Sequence, residues 1–315
     1  MGSHPAQLKL LDSSPLAAVI GDRELISNRY HFQHGPIDII ATLVGEQATV
    51  IAAAEVAWQR FRLVLPELVA ELQKLRLPIV TEHSTGRSIE HSIAVTGSVA
   101  QRMVRAVNPF AEQFITPMAA VAGSVADELL EALLPCGLQK IIINNGGDIS
   151  LAARPGQSLT VQLLAPQGVV RLSHCQSRNA DSGWQRFGVA TSGWSGRSFS
   201  LGIADAVSVV AATASQADAA ATMIANSVGC DLQHQSIRRA PANTLKDDTD
   251  LGSRLVTTGV GPLDIELINH ELSRGAQFAH SCLNDGKILA ASLSLQGESV
   301  IVQSYDRNSK SIHAN

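Results

Sequence analysis

The 315-residue sequence is poor in aromatic residues and has no concentration of basic ones. Phe, Trp and Tyr make up 4% of it, and 28 acidic residues outnumber 24 Lys and Arg, for a formal net charge of −4. Proteins that bind nucleic acids cluster Lys and Arg, and those that bind single strands add aromatic side chains for base stacking. The composition therefore argues against a nucleic-acid partner.

Cysteine pairs and long apolar runs are also missing. The four cysteines, Cys136, Cys175, Cys230 and Cys282, are far apart and form no C-x-x-C pair. This spacing excludes a zinc framework or a disulfide scaffold and favours reduced thiols in a cytoplasmic protein. No run approaches 18 uninterrupted apolar residues, and the first residues lack a basic segment followed by an apolar core. We therefore expect neither a membrane span nor a secretory signal.

The remaining composition is that of a well-packed globular protein, with 45% hydrophobic and 17% charged residues. Strand pairs are predicted around His34–Pro36 and Gln296–Gly297, and helices over Gln47–Leu75, Met118–Leu134 and Ser215–Val228. Strands and helices do not alternate with the spacing of crossover units, so a doubly wound sheet is not expected. The pattern predicts an α+β fold, with a largely antiparallel sheet and packed helices.

The domain prediction is a single domain over residues 28–304. An N-terminal extension, 1–27, precedes it, and a polar tail, 305–315, follows it. Residues 231–250 (DLQHQSIRRAPANTLKDDTD) are polar and rich in charge, which predicts a loop or a partly ordered insertion. The sequence leaves a homo-oligomer open.

Small residues dominate the stretch Gly188–Asn226, where Gly, Ala and Ser prevail. Residues this small are used where the backbone must approach another element or a ligand closely. The segment Ala119–Ala126 has the same character, and Thr116-Pro117 before it is typical of a helix start. We expect Gly188–Asn226 to form one side of a ligand or cofactor site, with close helix packing as the alternative for Ala119–Ala126.

Asp218 and Thr222 are four residues apart on the predicted helix, so their side chains share one face. A carboxylate and a hydroxyl can both give oxygen ligands to a hard cation such as Mg²⁺. Ser215-x-x-Asp218 is also a capping-box pattern, in which Asp218 would serve only the helix start. The spacing leaves both interpretations open.

Two further groups of polar residues offer contacts to a phosphorylated ligand. Thr191-Ser192-Gly193 and Ser195-Gly196-Arg197 supply hydroxyls, main-chain amides and one cation, although no Walker or G-x-G-x-x-G motif is present. The Gly146-Gly147 pair predicts a turn between two strands, flanked by Asn145 and Asp148, whose side chains can orient a ligand.

Five sequence features, in order, resemble the ApbE-like superfamily, whose founding members are FAD:protein FMN transferases. They are Thr116–Gly123 (TPMAAVAG), Asp127, Asn144–Asp148 (NNGGD), Ala190–Gly193 (ATSG) and Ala217–Thr222 (ADAAAT). The chain is most similar to that superfamily's branch of hypothetical proteins with TPMAAVAG and NNGGDI. The resemblance implies a single ApbE-like domain that binds FAD or FMN, or a similar nucleotide-like small molecule.

The resemblance also implies roles for individual residues. Asp218, Thr222 and the main-chain carbonyl near Ala120 would hold Mg²⁺. In the leading hypothesis, a transferase, Asp148 or Asp205 serves as the catalytic base. The implied cofactor-binding residues are Thr116, Asn145, Gly146, Gly147, Thr191, Ser192, Gly193 and Arg197.

The chain departs from the transferases at three places. Ala122 stands where they carry a lysine, Leu201–Asp205 replaces their H-x-x-D-P-x-T-G segment, and His34-Gly35-Pro36 replaces their M-G-T. Three hypotheses therefore remain: a flavin or nucleotidyl transferase, a non-catalytic flavin- or metabolite-binding protein, and a different small-molecule enzyme, a hydrolase or a lyase, on the same scaffold.

Overall fold

A computed structural model describes residues 5–20, 23–79, 93–157, 162–165, 168–171 and 183–303. The predicted polar tail, 305–315, lies outside these residues. The chain forms two compact units that alternate along the sequence. The first comprises Met1–Leu159, Ser173–Val189 and Ala212–Gln216, and the second comprises Thr160–Leu172, Ala190–Ala211 and Ala217–Asn315.

The first unit contains a sheet in which strand order follows the sequence, β1-β2-β3-β4-β5-β8. Every neighbouring pair in it is antiparallel. The strands are β1 (Gln7–Ile20), β2 (Arg23–His34), β3 (Ile37–Gly45), β4 (Lys140–Asn145), β5 (Asp148–Ala153) and β8 (Gln185–Ser192), of which β8 contributes its residues up to Val189.

Three helices pack with this sheet and form the core of the first unit. They are α1 (Gln47–Leu75), α2 (Ser98–Val107) and α3 (Val121–Leu133). Phe32 of β2 meets Phe61 of α1 edge to face, with ring centroids 5.5 Å apart. Both rings are fully buried, as is Leu129 of α3, because each of these elements turns one apolar face inward.

The second unit combines sheet strands in the order β8-β9-β12-β13 with two small strand pairs and three helices. The small pairs are β6–β7 and β10–β11, both antiparallel. The elements are β6 (Gln162–Ala165), β7 (Gly168–Arg171), β9 (Ala206–Ala211), α4 (Ala214–Ser227), β10 (Ile237–Pro241), α5 (Ala242–Leu245), β11 (Leu255–Val260), α6 (Ile265–Asn284), β12 (Ala290–Leu295) and β13 (Glu298–Gln303). Helix α4 begins within the first unit and continues into the second.

The predicted α+β class, with a largely antiparallel sheet and packed helices, is confirmed. Helix α1 has the predicted bounds, and both predicted hairpins form. Among the described residues, none of the helices combines the length and apolar character needed to cross a bilayer.

Two predictions of local structure are corrected. Residues 231–250 are not simply a loop, because they contain strand β10 and helix α5. The predicted helix Met118–Leu134 is divided into a 3-10 turn over Pro117–Ala120 and the α-helix α3. Ala120 separates the two with dihedral angles outside the helical range, φ −132° and ψ 17°.

An ionic network joins the three helices of the first unit. Glu128 of α3, 9% exposed, accepts from Arg60 Nε of α1 at 2.8 Å and from Ser98 Oγ of α2 at 2.7 Å. Arg102 of α2 lies 3.3 Å from the second oxygen of Glu128. Burial alone would raise the pKa of the Glu128 carboxyl, but the hydrogen bonds from Ser98 and Arg60 outweigh it and hold this pKa below its ordinary value of 4.5.

This network should make stability depend on acid pH. Because the folded-state pKa of Glu128 is depressed, its contribution is present above the ordinary pKa and is lost as pH falls through the folded-state value. We expect Glu128→Gln to flatten the decline in the free energy of unfolding below about pH 4.5, as measured by urea denaturation at a series of pH values. Glu112→Gln, which changes an exposed glutamate, is the matched control. Parallel pH profiles for wild type and Glu128→Gln would contradict the assignment.

Candidate functional site

A buried carboxylate fixes the start of helix α4. Asp127 of α3 is 1% exposed and accepts from the main-chain N–H groups of Ala214 and Ser215 at 3.0 and 2.9 Å. The Ser150 hydroxyl of β5 donates to the same carboxylate at 2.7 Å. The first N–H groups of a helix lack partners within the helix, and a carboxylate there also faces the positive end of the helix dipole. Asp127 therefore caps α4 from a different element.

Two glycines let backbone approach this helix start. A Cβ added to Gly188 would lie 2.0 Å from the Ala214 nitrogen, and one added to Gly123 would lie 2.3 Å from the Ala214 carbonyl oxygen. Neither distance is sterically allowed, and the contacted atoms are main chain. At both positions the small residue thus permits close packing of protein backbone.

The capping interpretation of Asp218 is wrong. Helix α4 begins at Ala214, and the Thr213 hydroxyl accepts from the Gln216 N–H at 3.2 Å. Asp127 and Thr213 thus cap the first N–H groups of α4, the role that the sequence pattern assigned to Ser215. Ser215 itself lies inside the helix, so Ser215-x-x-Asp218 is out of register with the true cap.

Asp218 and Thr222 occupy a distinctive line on α4. Between Ala217 and Ala225, Asp218 and Thr222 are partly exposed, and all the remaining residues are buried. The next residue on this line, Asn226, accepts through Oδ1 from the Leu201 N–H at 2.9 Å. Asp218, Thr222 and Asn226 thus form a line of partly exposed polar residues on α4.

The turn predicted to orient a ligand is itself well structured. Gly146 and Gly147 have positive φ angles of 66° and 115° and connect β4 to β5, as the sequence predicts. Asn144 Oδ1 accepts from the Gly147 N–H at 2.9 Å. Asn145, 8% exposed, donates through Nδ2 to the Ala122 carbonyl at 3.0 Å. The asparagines hold the turn in place, and Asp148, the first residue of β5, is partly exposed beside it.

Thr116 and Ala120 flank the 3-10 turn before α3. Thr116 is 2% exposed, and its carbonyl accepts from the Ala119 N–H at 3.1 Å. Its side chain makes no capping hydrogen bond to this turn, in contrast to the predicted helix start. A metal-binding role for the Ala120 carbonyl and a cofactor-binding role for Thr116 stay predictions.

In the second unit, the end of β8 and the loop after it bring several predicted residues together. The Thr191 hydroxyl lies 2.8 Å from that of Ser208, and Ser192 is the last residue of β8. A Cβ on Gly193 would lie 2.2 Å from the Asp205 carbonyl oxygen, so this glycine too allows close backbone contact. Arg197 is exposed on the loop.

Both carboxylate oxygens of Asp205 accept hydrogen bonds that fix the loop after β8. Its Oδ1 accepts from Trp194 Nε1 at 3.0 Å, and its Oδ2 accepts from the Gln296 N–H at 2.5 Å. As a catalytic base it would have to exchange one of these bonds for a substrate proton, and that role stays a prediction. Trp194 was not singled out from the sequence because it lies in no motif, and Gln296 was predicted only as part of a turn.

Within the part of the chain that the structure describes, acidic residues, cysteines and histidines do not form a metal site by themselves. The described ranges contain no group of three or more His, Cys, Asp or Glu side chains able to hold a metal ion. The predicted Mg²⁺ ligands comprise one carboxylate, one hydroxyl and one main-chain carbonyl, so they are not a cluster of this type.

Comparison with known proteins places this α+β chain in the ApbE-like superfamily. The family profile described as "AbpE bacteria" matches residues 18–301, most of the sequence, so the chain belongs to this family. The match includes residues of both compact units, in agreement with the predicted single ApbE-like domain.

Curated relatives carry the name UPF0280 protein. The one from Methanopyrus kandleri is 38% identical over 146 residues, which cover 45% of this chain and 54% of that protein. The one from Methanococcoides burtonii is 29% identical over 212 residues, covering 67% of this chain and 81% of the relative. In the first of these matches, the chain spans about half the length of the relative.

Solved structures show a weaker likeness. The flavinyl transferase ApbE from Pseudomonas stutzeri, in its apo form, has 11% identity and a TM-score of 0.41, with 96% of each chain covered. The ApbE protein from Thermotoga maritima has the same identity and TM-score, with 84% of this chain and 93% of that one covered. Neither likeness is strong enough to assign a reaction.

Proposed function

We propose that this protein binds a flavin nucleotide, or a similar phosphorylated ligand, together with Mg²⁺. The observation that carries the proposal is the Asp218–Thr222 pair: both residues are partly exposed, whereas the other residues from Ala217 to Ala225 are buried. Oxygen donors of this kind suit a hard cation, which commonly keeps several waters and shares phosphate oxygens. Mg²⁺, when bound, would neutralise charge on the phosphates of the ligand.

The other predicted residues have complementary roles. Arg197 and the hydroxyls of Thr191 and Ser192 would contact phosphate or ribose, and Asn145 would keep the Gly146-Gly147 turn in shape. Transfer of a flavin or nucleotidyl group would then depend mainly on positioning, with Asp148 or Asp205 as the base.

A second candidate function is ligand binding without catalysis. The Asp205 carboxylate favours it, because both oxygens accept hydrogen bonds that hold the loop. Ala122 also lacks the side-chain amine that the transferases have at this position. Incubation with FAD, Mg²⁺ and an acceptor peptide of the D-x-x-T/S-G-A type distinguishes the two: transfer of FMN to the peptide would establish the enzyme, and binding without transfer the second candidate.

Removing the Asp218 charge should reduce the Mg²⁺-dependent part of ligand binding. A ligand at 100 times its dissociation constant stabilises a protein by about 2.7 kcal/mol. We expect FAD with Mg²⁺ to raise the melting temperature of the wild type, and Asp218→Asn or Thr222→Val to reduce the increment that Mg²⁺ adds. Thermal unfolding with FAD, FMN and Mg²⁺, separately and together, measures this.

The matched control for this experiment is Asp247→Asn, which removes an exposed carboxylate on a different segment of the second unit. It should leave the Mg²⁺ increment unchanged. If no flavin stabilises the wild type, the proposal fails. If Asp218→Asn keeps the full Mg²⁺ increment, Asp218 is not a ligand.

A further inference from the structure

The second unit has a cavity that involves none of the residues proposed to bind flavin or Mg²⁺. Its volume is about 270 Å³, and it lies between the segment after helix α4 and the β10–β11 pair. Leucines supply its apolar lining, at Leu201, Leu232 and Leu255. The polar lining is Cys230, Asp231, Gln233, Arg239 and Arg254. A cavity with two arginines and one carboxylate in its lining has the composition expected for an anion site.

Arg239 is held in this cavity by main-chain atoms. Its terminal nitrogens donate to the carbonyls of Leu201 at 2.9 Å and of Gly229 and Cys230 at 2.5 Å. Carbonyl oxygens carry no formal charge, so these bonds fix the guanidinium without neutralising it. Burial lowers the pKa of Arg239, which indicates a partly desolvated cation. A guanidinium has more N–H donors than these bonds use, and the buried Nε has no hydrogen-bond partner among the described residues.

The carboxylate in the lining is already paired. The two carboxylate oxygens of Asp231 accept from the two terminal nitrogens of Arg274, at 2.8 and 3.1 Å, in a bidentate ion pair. Arg274 also lies 3.1 Å from Glu271, which is 2% exposed. Asp231 is thus hydrogen-bonded to Arg274, and it acts on Arg239 through its charge alone, so Arg239 remains a fixed cation at the cavity.

We propose that this cavity binds a small oxyanion, a phosphate or carboxylate group carried by a small molecule. Arginine is suited to both groups because its planar fork of donors matches their oxygens. Gln233 adds a neutral donor, and the leucines accommodate the apolar part of a small molecule. The cavity volume, about 270 Å³, fits a compact ligand rather than a whole dinucleotide.

Cys230 supplies a probe that reports on this cavity alone. Cys230 is an exposed residue in the cavity lining, whereas Cys136 is partly buried and Cys282 is buried. Burial and the neighbouring Asp231 raise the pKa of the Cys230 thiol, so alkylation is best followed at alkaline pH. The experiment follows the rate at which iodoacetamide alkylates Cys230, measured by peptide mass spectrometry. The rate in inorganic phosphate or acetate is compared with the rate in chloride of equal ionic strength.

We expect saturable protection of Cys230, with a slowing of about tenfold when phosphate is at ten times its dissociation constant. Arg254→Gln should raise the phosphate concentration needed for half-protection by about tenfold or more, as loss of a charge-assisted hydrogen bond does. Lys246→Gln, which removes an exposed cation outside the lining, should not change it. Cys136 alkylation in the same digest should be unaffected.

Protection by phosphate alone would assign the cavity to phosphate groups, and comparable protection by acetate would assign it to carboxylates. The proposal is overturned if neither anion protects Cys230 beyond chloride, or if Arg254→Gln is protected like the wild type. Because flavin and Mg²⁺ are absent from the experiment, its outcome is independent of the function proposed for Asp218 and Thr222.

Discussion

Replacing Gly188 with alanine is expected to destabilise the native fold more than any other single change considered. The added Cβ would lie 2.0 Å from the Ala214 nitrogen and 2.2 Å from the Thr213 carbonyl carbon. Both atoms belong to the main chain at the start of α4, so no side-chain rotation can relieve the overlap. Overpacking commonly costs 1–3 kcal/mol, and here we expect at least about 3 kcal/mol because backbone must move. That is a large part of the total stability of a typical protein.

Soluble yield and the urea midpoint of unfolding measure this effect. The control is Gly196→Ala, where the nearest atom to an added Cβ is the Gly193 oxygen at 3.3 Å, and the expected change is within about 1 kcal/mol. A Gly188→Ala protein with the wild-type midpoint would show that α4 does not start against β8.

Replacing Asp127 with alanine should have the second largest effect. The change removes the acceptor for the Ala214 and Ser215 N–H groups and for the Ser150 hydroxyl, all at buried positions. An unsatisfied buried donor costs about 1–3 kcal/mol, and loss of a helix cap about 0.5–2 kcal/mol. Since the hydroxyl can rotate to another partner, we expect a total loss of about 3–5 kcal/mol in the free energy of unfolding.

A double-mutant cycle with Ser150→Ala separates the parts of this loss. Ser150→Ala alone should cost less, and the two changes together should be less than additive because they remove one shared hydrogen bond. Asp127→Asn keeps one acceptor oxygen and should fall between wild type and Asp127→Ala. If Asp127→Ala and the exposed Asp247→Ala cost the same, Asp127 is not the cap.

Local patterns predicted the elements well where neighbours in sequence decide the structure. The apolar spacing of Val56, Phe61, Val64 and Leu68 predicts the buried face of α1; the last three are buried, but Val56 is 42% exposed. The Gly146-Gly147 pair marks its hairpin because a tight turn between strands needs positive φ at both positions. These signals lie within a few residues of the structure that they specify.

Long-range contacts explain what the sequence could not show. The true cap of α4 comes from Asp127, 87 residues before Ala214, so a search for a local capping box chose Ser215 and Asp218 instead. Residues 231–250 lack the periodicity of an element, yet Arg239 bonds to carbonyls of Leu201 and Cys230 and so anchors β10. The candidate residues Asp218 and Thr222 were found from spacing and resemblance, but only the structure shows their partial exposure on a buried helix.

The ascending order of strands in the first unit has a consequence for the route of folding. Hairpins β1–β2, β2–β3 and β4–β5 join strands that are adjacent along the chain and can form as soon as both strands exist. The β3–β4 pair is different, because Val44 pairs with Lys140 and helices α1, α2 and α3 all lie between them. Loop-closure entropy grows with the length enclosed, so this pairing carries the largest such cost of the sheet pairs in the unit. We therefore expect the three helices to dock before β3–β4 pairing, and this late pairing to limit the folding rate.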